Sequence, residues 1–206
     1  MAKQPPPLPP VPAGLWWRTF AALADALPLL LLSWWLALRL AGPEERDALA
    51  AVGAFYDKLQ ALSLQAQRNG STDALWNLAL HPPEATLQAY ATWIGFLGTV
   101  SFCLVGGALT AQEWLGAGRT LGKRIFHLRS IDVATGEAPG FVPALLRSAW
   151  KTAFLCLPNP LFSLLGIVNA HVPLFRQDRR AWHDLWTRTQ VVEEVRAVAS
   201  ARGEQD

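Results

Sequence analysis

The chain has 206 residues, a formal charge of +2 and an apolar majority. So small a net charge argues against a nucleic-acid partner. The two cysteines, Cys103 and Cys156, lie in apolar stretches and exclude a disulfide framework, a CxxC redox pair and a zinc site.

In chain order, residues 1–13 open with MAKQPPPLPPVP, which cannot form a helix and has little to bury. They read as a disordered or polyproline tail, either a solvated leader or a PxxP ligand, and not as a secretory signal. Residues 20–40 are the first span, long enough to cross a ~30 Å hydrocarbon core. Trp16, Trp17 and Arg18 mark one end, and Trp34, Trp35 and Arg39 the other, as interfacial belts do. Asp25 lies inside this span, seven residues after Arg18, so the two share a helix face. A carboxylate there costs about 2.5–3.5 kcal/mol, so it must either anchor helices or handle ions.

Residues 42–84 leave the membrane. GPEERD is a helix start, and Leu49, Val52, Phe55, Tyr56, Leu59 and Leu62 then recur at helical spacing. This amphipathic insert ends at NGSTD, a short turn follows over residues 74–80, and its acids place it outside the cytoplasm. Residues 87–112 form the second span. Its small residues suit close packing against the first.

Residues 115–143 are a basic loop. Arg119, Lys123, Arg124 and Arg129, with Arg147 and Lys151 just beyond, put it in the cytoplasm. Within it, residues 125–133 alternate as a strand does. Gly122-Lys123 is not a phosphate loop, because Ala117 and Arg124 stand where Gly and Ser or Thr are required. The third apolar region is broken at Pro158-Asn159-Pro160 into residues 144–157 and 161–175. Each half is short of a crossing, and Arg176, Arg179 and Arg180 follow at once, which favours a helical hairpin over a single kinked span. Asn169 and His171 are expected to satisfy each other or the backbone that the prolines free. A second strand over residues 187–192 pairs with the first to close a cytoplasmic β-hairpin-like cap. Residues 194–206 form a tail. The fold expected is an all-α polytopic membrane protein with that small cap, both termini cytoplasmic.

Three ordered motifs resemble the RDD family of bacterial integral membrane proteins. They are Arg18 with Asp25 after Gly14-Leu-Trp-Trp; Gly118-x-Thr120-x-Gly122-Lys123-Arg124, a strand ending at Asp132, then Arg147; and His183-Asp184 before Thr189-x-Val191-Val192. The resemblance spans about residues 12–193, within a membrane domain at 14–193. It departs at Arg119, where a glutamine is usual, and at Arg188, where a glycine is usual. It implies signature roles for Arg18, Asp25 and Asp184, supported by Gly118, Thr120, Gly122, Lys123, Arg124, Arg147, His183 and Thr189. It also implies a bacterial plasma-membrane location and transport, including cation–proton exchange.

The residues themselves leave two uses for the signature groups. Arg18, Asp25 and His183-Asp184 form either a salt-bridged clasp or a proton or monovalent-cation site. His81, His127, His171 and His183 lack ligand spacing, so no metal or cofactor is expected, and no nucleophile motif marks an enzyme. The expected function is a small transporter using Asp25, oligomeric because few helices enclose little space. The alternative is a non-catalytic scaffold or accessory factor for a partner complex.

Overall fold

A computed structural model of the chain describes residues 11–194. Two helices, α1 (Leu15–Leu40) and α4 (Glu84–Leu115), are long and apolar enough to cross a membrane. At 1.5 Å per residue they extend about 39 and 48 Å, beyond the ~30 Å core. Pro28 lies inside α1 and removes one backbone donor, yet the helix runs through it. Leu23, Leu27 and Leu31 on α1 are exposed, as are Leu161, Leu164 and Ile167 on α7 (Pro160–His171). Such surface suits acyl chains rather than water.

The chain divides into two compact units. One covers residues 34–100 and holds the C-terminal part of α1, α2 (Pro43–Asn69), α3 (Asp73–Leu80) and the start of α4. Pro43 opens α2, and Gly70 closes it in the left-handed conformation at φ 74°, which glycine adopts without strain. Ala37, Ala41, Ala48 and Trp93 form this unit's core, with Trp34 edge-on to Trp93 at 5.7 Å.

The other unit contains residues 11–33 and 101–194. Here Leu29 and Leu30 of α1 pack against Val105, Leu109 and Cys156. The α6 helix (Phe141–Cys156) precedes the proline break and α7. Gly106 of α4 lies against Thr152 of α6, whose Oγ1 is 3.5 Å from where a Cβ would stand. The packing of α4 against α1 is made by larger side chains such as Leu29, Leu30, Val105 and Leu109, while Gly106 serves the approach to α6 and a Cβ at Gly95 or Gly107 would meet open space.

Two short helices each lead into a strand. The first pair is α5 (Leu121–Ile125) and β1 (Leu128–Asp132), and the second is α8 (Trp182–Trp186) and β2 (Thr189–Glu193). The strands pair antiparallel from Leu128↔Glu193 to Asp132↔Thr189. The strand expected over residues 125–133 is therefore shorter. Ile125 ends α5, and His127, at φ 53°, makes the bend between helix and strand. Arg188 takes φ 52° at the matching place before β2. Both strands bury the same three of their five positions. Their middle residues, Ser130 and Val191, face each other across the ladder, so the two helix–strand segments form an internal pair about a local two-fold axis.

The expected tail at residues 1–13 needs correction at its end. Ala13 N–H donates to Val191 O at 2.9 Å, Glu193 N–H donates to Val11 O at 3.0 Å, and Pro12 bridges Val192. An open sheet edge offers backbone partners, and proline is tolerated there because its missing donor can face outward. Residues 1–10 and 195–206 lie outside the described residues.

Candidate functional site

Two charged residues of α1, Arg18 and Asp25, each meet one helix–strand segment. Asp25 accepts from Gly122 N–H at 2.7 Å and from the Thr120 hydroxyl. Thr120 is the N-cap of α5 and also accepts from Lys123 N–H at 3.4 Å. Gly122 is required by close approach, since a Cβ there would lie 2.0 Å from the Ala21 carbonyl oxygen. Two turns away along α1, Arg18 pairs with the Asp184 carboxylate and donates to the Arg179 carbonyl. Asp184 also accepts from Ala181 N–H at 3.2 Å, which caps its own helix. Arg18 and Asp25 share a face as expected but hold different segments.

Arg147, fully buried, joins the two sides. It lies 3.0 Å from Glu113 and 2.8 Å from Asp184. Those are ion-pair distances, but the angles are poor for hydrogen bonds, and Nε has no acceptor. Lys123 Nζ reaches Glu113 at 2.9 Å and the Ser130 hydroxyl at 2.6 Å. Burial pulls the Lys123 ammonium down to about 7, against the opposing pull of Glu113. Glu113 therefore serves Lys123 and Arg147, and Asp184 serves Arg147 and Arg18.

His183 sits beside this network in a defined tautomer. Asn169 Oδ1 accepts from Trp182 N–H at 2.9 Å, which turns its amide nitrogen toward His183 Nδ1 at 3.1 Å. Nδ1 is then an acceptor, so the ring proton is on Nε2, 3.3 Å from Asp184. Burial lowers His183 to about 3, so the ring is neutral. Burial opposes the charged form of Asp184, but the ring and the cations around it hold the carboxyl well below its usual range. Of the two uses expected for Asn169 and His171, they do not satisfy each other; both bond backbone, Asn169 at Trp182 N–H and His171 Nδ1 at Ile167 O, 2.7 Å away.

The remaining motif residues play backbone parts. Gly118 takes φ 83° and receives Ser130 N–H at 2.8 Å, and a Cβ there would meet Ser130 O at 2.2 Å. Thr189 is buried with its hydroxyl 2.9 Å from that of Thr187. Arg124 is exposed and stands outside the network. Arg119, at the family's glutamine position, pairs with Glu194, with Nε donating at 2.8 Å.

A cavity of about 540 Å³ adjoins the network, and its wall includes Arg18, Asp25, Glu113, Lys123, Arg147 and Lys151. Sequence reasoning missed Glu113 and treated Lys151 only as a topological charge. The signal for Glu113 was present: it is the one acid in an otherwise uncharged run from residue 85 to 118. A lone carboxylate there raises the same question as Asp25.

The sequence model of the RDD family matches residues 12–188, a stretch that holds every charged member of the network. No curated protein and no solved structure matches the chain.

Proposed function

Because the chain belongs to the RDD family of membrane proteins, we propose that it is a non-enzymatic, multi-pass unit of the bacterial plasma membrane that binds and passes a ligand through the cavity beside the charged network. The carrying observation is that cavity of about 540 Å³ with six charged side chains on its wall. The basic residues 119–151 sit on the cytoplasmic side, both termini with them, and a homo-oligomer completes the path.

The working carboxylate in this reading is not Asp25. Both oxygens of Asp25 are occupied by Thr120 and Gly122, so it fastens α1 to α5. Among the described residues Glu113 Oε2 has no hydrogen-bond partner, and Glu113 lines the cavity. In this reading Glu113 exchanges a monovalent cation for a proton only after it is released from Lys123 and Arg147, which hold its other oxygen.

Proton flux driven by sodium or potassium gradients in proteoliposomes tests this. Flux is expected to survive Asp25→Asn and to vanish in Glu113→Gln. The opposite pattern would return the role to Asp25. No flux from folded wild type would favour a second reading, a non-catalytic scaffold, which draws support from how completely Asp25, Asp184, Lys123 and Arg18 are paired.

A further inference from the structure

The network holds more positive than negative charge. Arg18, Lys123 and Arg147 share two carboxylates, Glu113 and Asp184. Asp25 is held by a hydroxyl and a backbone N–H rather than by a cation. Lys151 is the remaining cation. It is half-buried, it lines the same cavity, and among the described residues it has no ion-pair or hydrogen-bond partner. Arg147, without any solvent exposure, adds an unmet Nε donor to that wall. A half-buried cation beside a network that already holds more cations than carboxylates offers an anion a favourable place on this wall.

Thr19, Thr120, Thr152, Ser163, Asn169 and His183 add uncharged polar groups, and the remaining wall is apolar. Ala22, Leu23 and Ala26 of α1 line it on one side, and Phe154, Leu155 and Ile167 on the other. A simple anion needs far less than about 540 Å³ and gains nothing from such walls. The exposed leucines of α1 and α7 put the same unit in contact with acyl chains.

We propose that the cavity binds one anionic lipid, its phosphate head group against Lys151 and Arg18, with the buried charge of Arg147 behind them, and an acyl chain along the apolar part of the wall. The proposal rests on the cavity being a ligand site but not on transport.

The full chain, purified in a neutral detergent, is titrated with phosphatidylglycerol or with phosphatidylcholine of the same acyl chains. Retained lipid is counted by native mass spectrometry. One phosphatidylglycerol per chain is expected, with phosphatidylcholine displaced first. Lys151→Met should weaken phosphatidylglycerol binding about tenfold, the effect of losing one charge-assisted contact. The same variant should melt higher than wild type without lipid, because it removes an unpaired charge. A purely structural lysine would not move these two readouts in opposite directions. Ala22→Trp keeps every charge but fills the wall, and it should also lose the lipid. Arg68→Gln on α2, an exposed cation, should change nothing.

Equal retention of the two lipids, or unchanged binding in Lys151→Met, overturns the proposal. So does full displacement of phosphatidylglycerol by glycerol phosphate at equal concentration, which would make the cavity a small-anion site. Lipid retention by a wild type that shows no ion flux supports the proposal and overturns only the transport reading.

Discussion

The two helix–strand segments have the same backbone and opposite chemistry. Each is a five-residue helix, a left-handed bend and a five-residue strand with the same burial pattern. The second and third helix positions are Gly122-Lys123 in one and His183-Asp184 in the other. The first segment presents bare backbone and a capping hydroxyl to a carboxylate on α1. The second presents a carboxylate to a guanidinium on α1. One scaffold thus reads two charges of opposite sign, two turns apart on a single helix, and the buried cation of one segment faces the buried anion of the other through Arg147 and Glu113.

The largest expected effect comes from removing that link. Arg147→Ala should cost about 3–5 kcal/mol, because it empties the space of a large, fully buried side chain and leaves Glu113 and Asp184 with one cation each. Equilibrium unfolding in mixed micelles measures it. A cost under 1 kcal/mol would mean that the two segments are stabilised independently.

The next test separates steric from electrostatic docking. Gly122→Ala drives a methyl to 2.0 Å from Ala21 O, and backbone cannot yield as a side chain would. A loss of about 3 kcal/mol is expected, the upper range for overpacking. The equivalent residue in the other segment, His183, carries a full side chain, so only the first segment approaches α1 backbone to backbone. If Gly122→Ala melts like wild type, that asymmetry is wrong.

How much of this was legible depended on periodicity and on spacing. The two spans declared themselves over residues 20–40 and 87–112, because long apolar stretches with so few charges have few alternatives, and the helices that hold them run to 26 and 32 residues. The two strands and their partnership were legible from alternation, though β1 was drawn too long: Ile125 and Phe126 continue an apolar pattern that suits one helical turn equally well. The convergence of Arg18 on Asp184 was readable only through the family motif, since 166 positions separate them. Glu113 stood out as the one acid in its run, and Lys151 as a cation inside an apolar half, but neither was weighed as more than a topological charge; packing shows that the two line one cavity. The repeat itself was invisible because the equivalent residues differ almost throughout; what they share is burial and one backbone angle.

Titration distinguishes the segments in separate pH windows. The buried His183 ring titrates at about 3, below the ordinary 6.5, so the unfolded chain binds more protons between those values. Stability is then full above pH 6.5 and is lost as pH falls toward 3, by at most about 1.4 kcal/mol per pH unit. Asp184, also lowered, adds loss of the same sign only near and below ordinary carboxylate values. Lys123, lowered from 10.5 to about 7, gives stability that rises between pH 7 and 10.5. His183→Gln should flatten the acid limb from pH 6.5 to 5, a loss of about 2 kcal/mol in wild type, and leave the alkaline limb alone. Lys123→Gln should do the reverse. A single variant that flattens both limbs would merge the segments into one titrating unit.

The smallest effect tests the feature the segments share most closely. His127 and Arg188 occupy left-handed backbone at φ 53° and 52°, where a side chain costs about 1–2 kcal/mol relative to glycine. Arg188 is exposed, and its backbone alone makes the turn: its N–H donates to Leu185 O at 3.2 Å, and its carbonyl accepts from Val133 N–H at 2.9 Å. Arg188→Gly puts in the residue that takes this conformation without strain and should stabilise the protein. The gain should be about 0.5–1 kcal/mol, because the greater freedom of glycine in the unfolded chain offsets part of the relief. His127→Gly is expected to gain by a similar amount, since its carbonyl likewise serves a backbone donor, Glu194 N–H at 2.9 Å. Equal gains in thermal unfolding would identify the bend as a common element of one repeated design. A gain at Arg188 alone would mean that the His127 side chain contributes an interaction worth as much as the strain it carries.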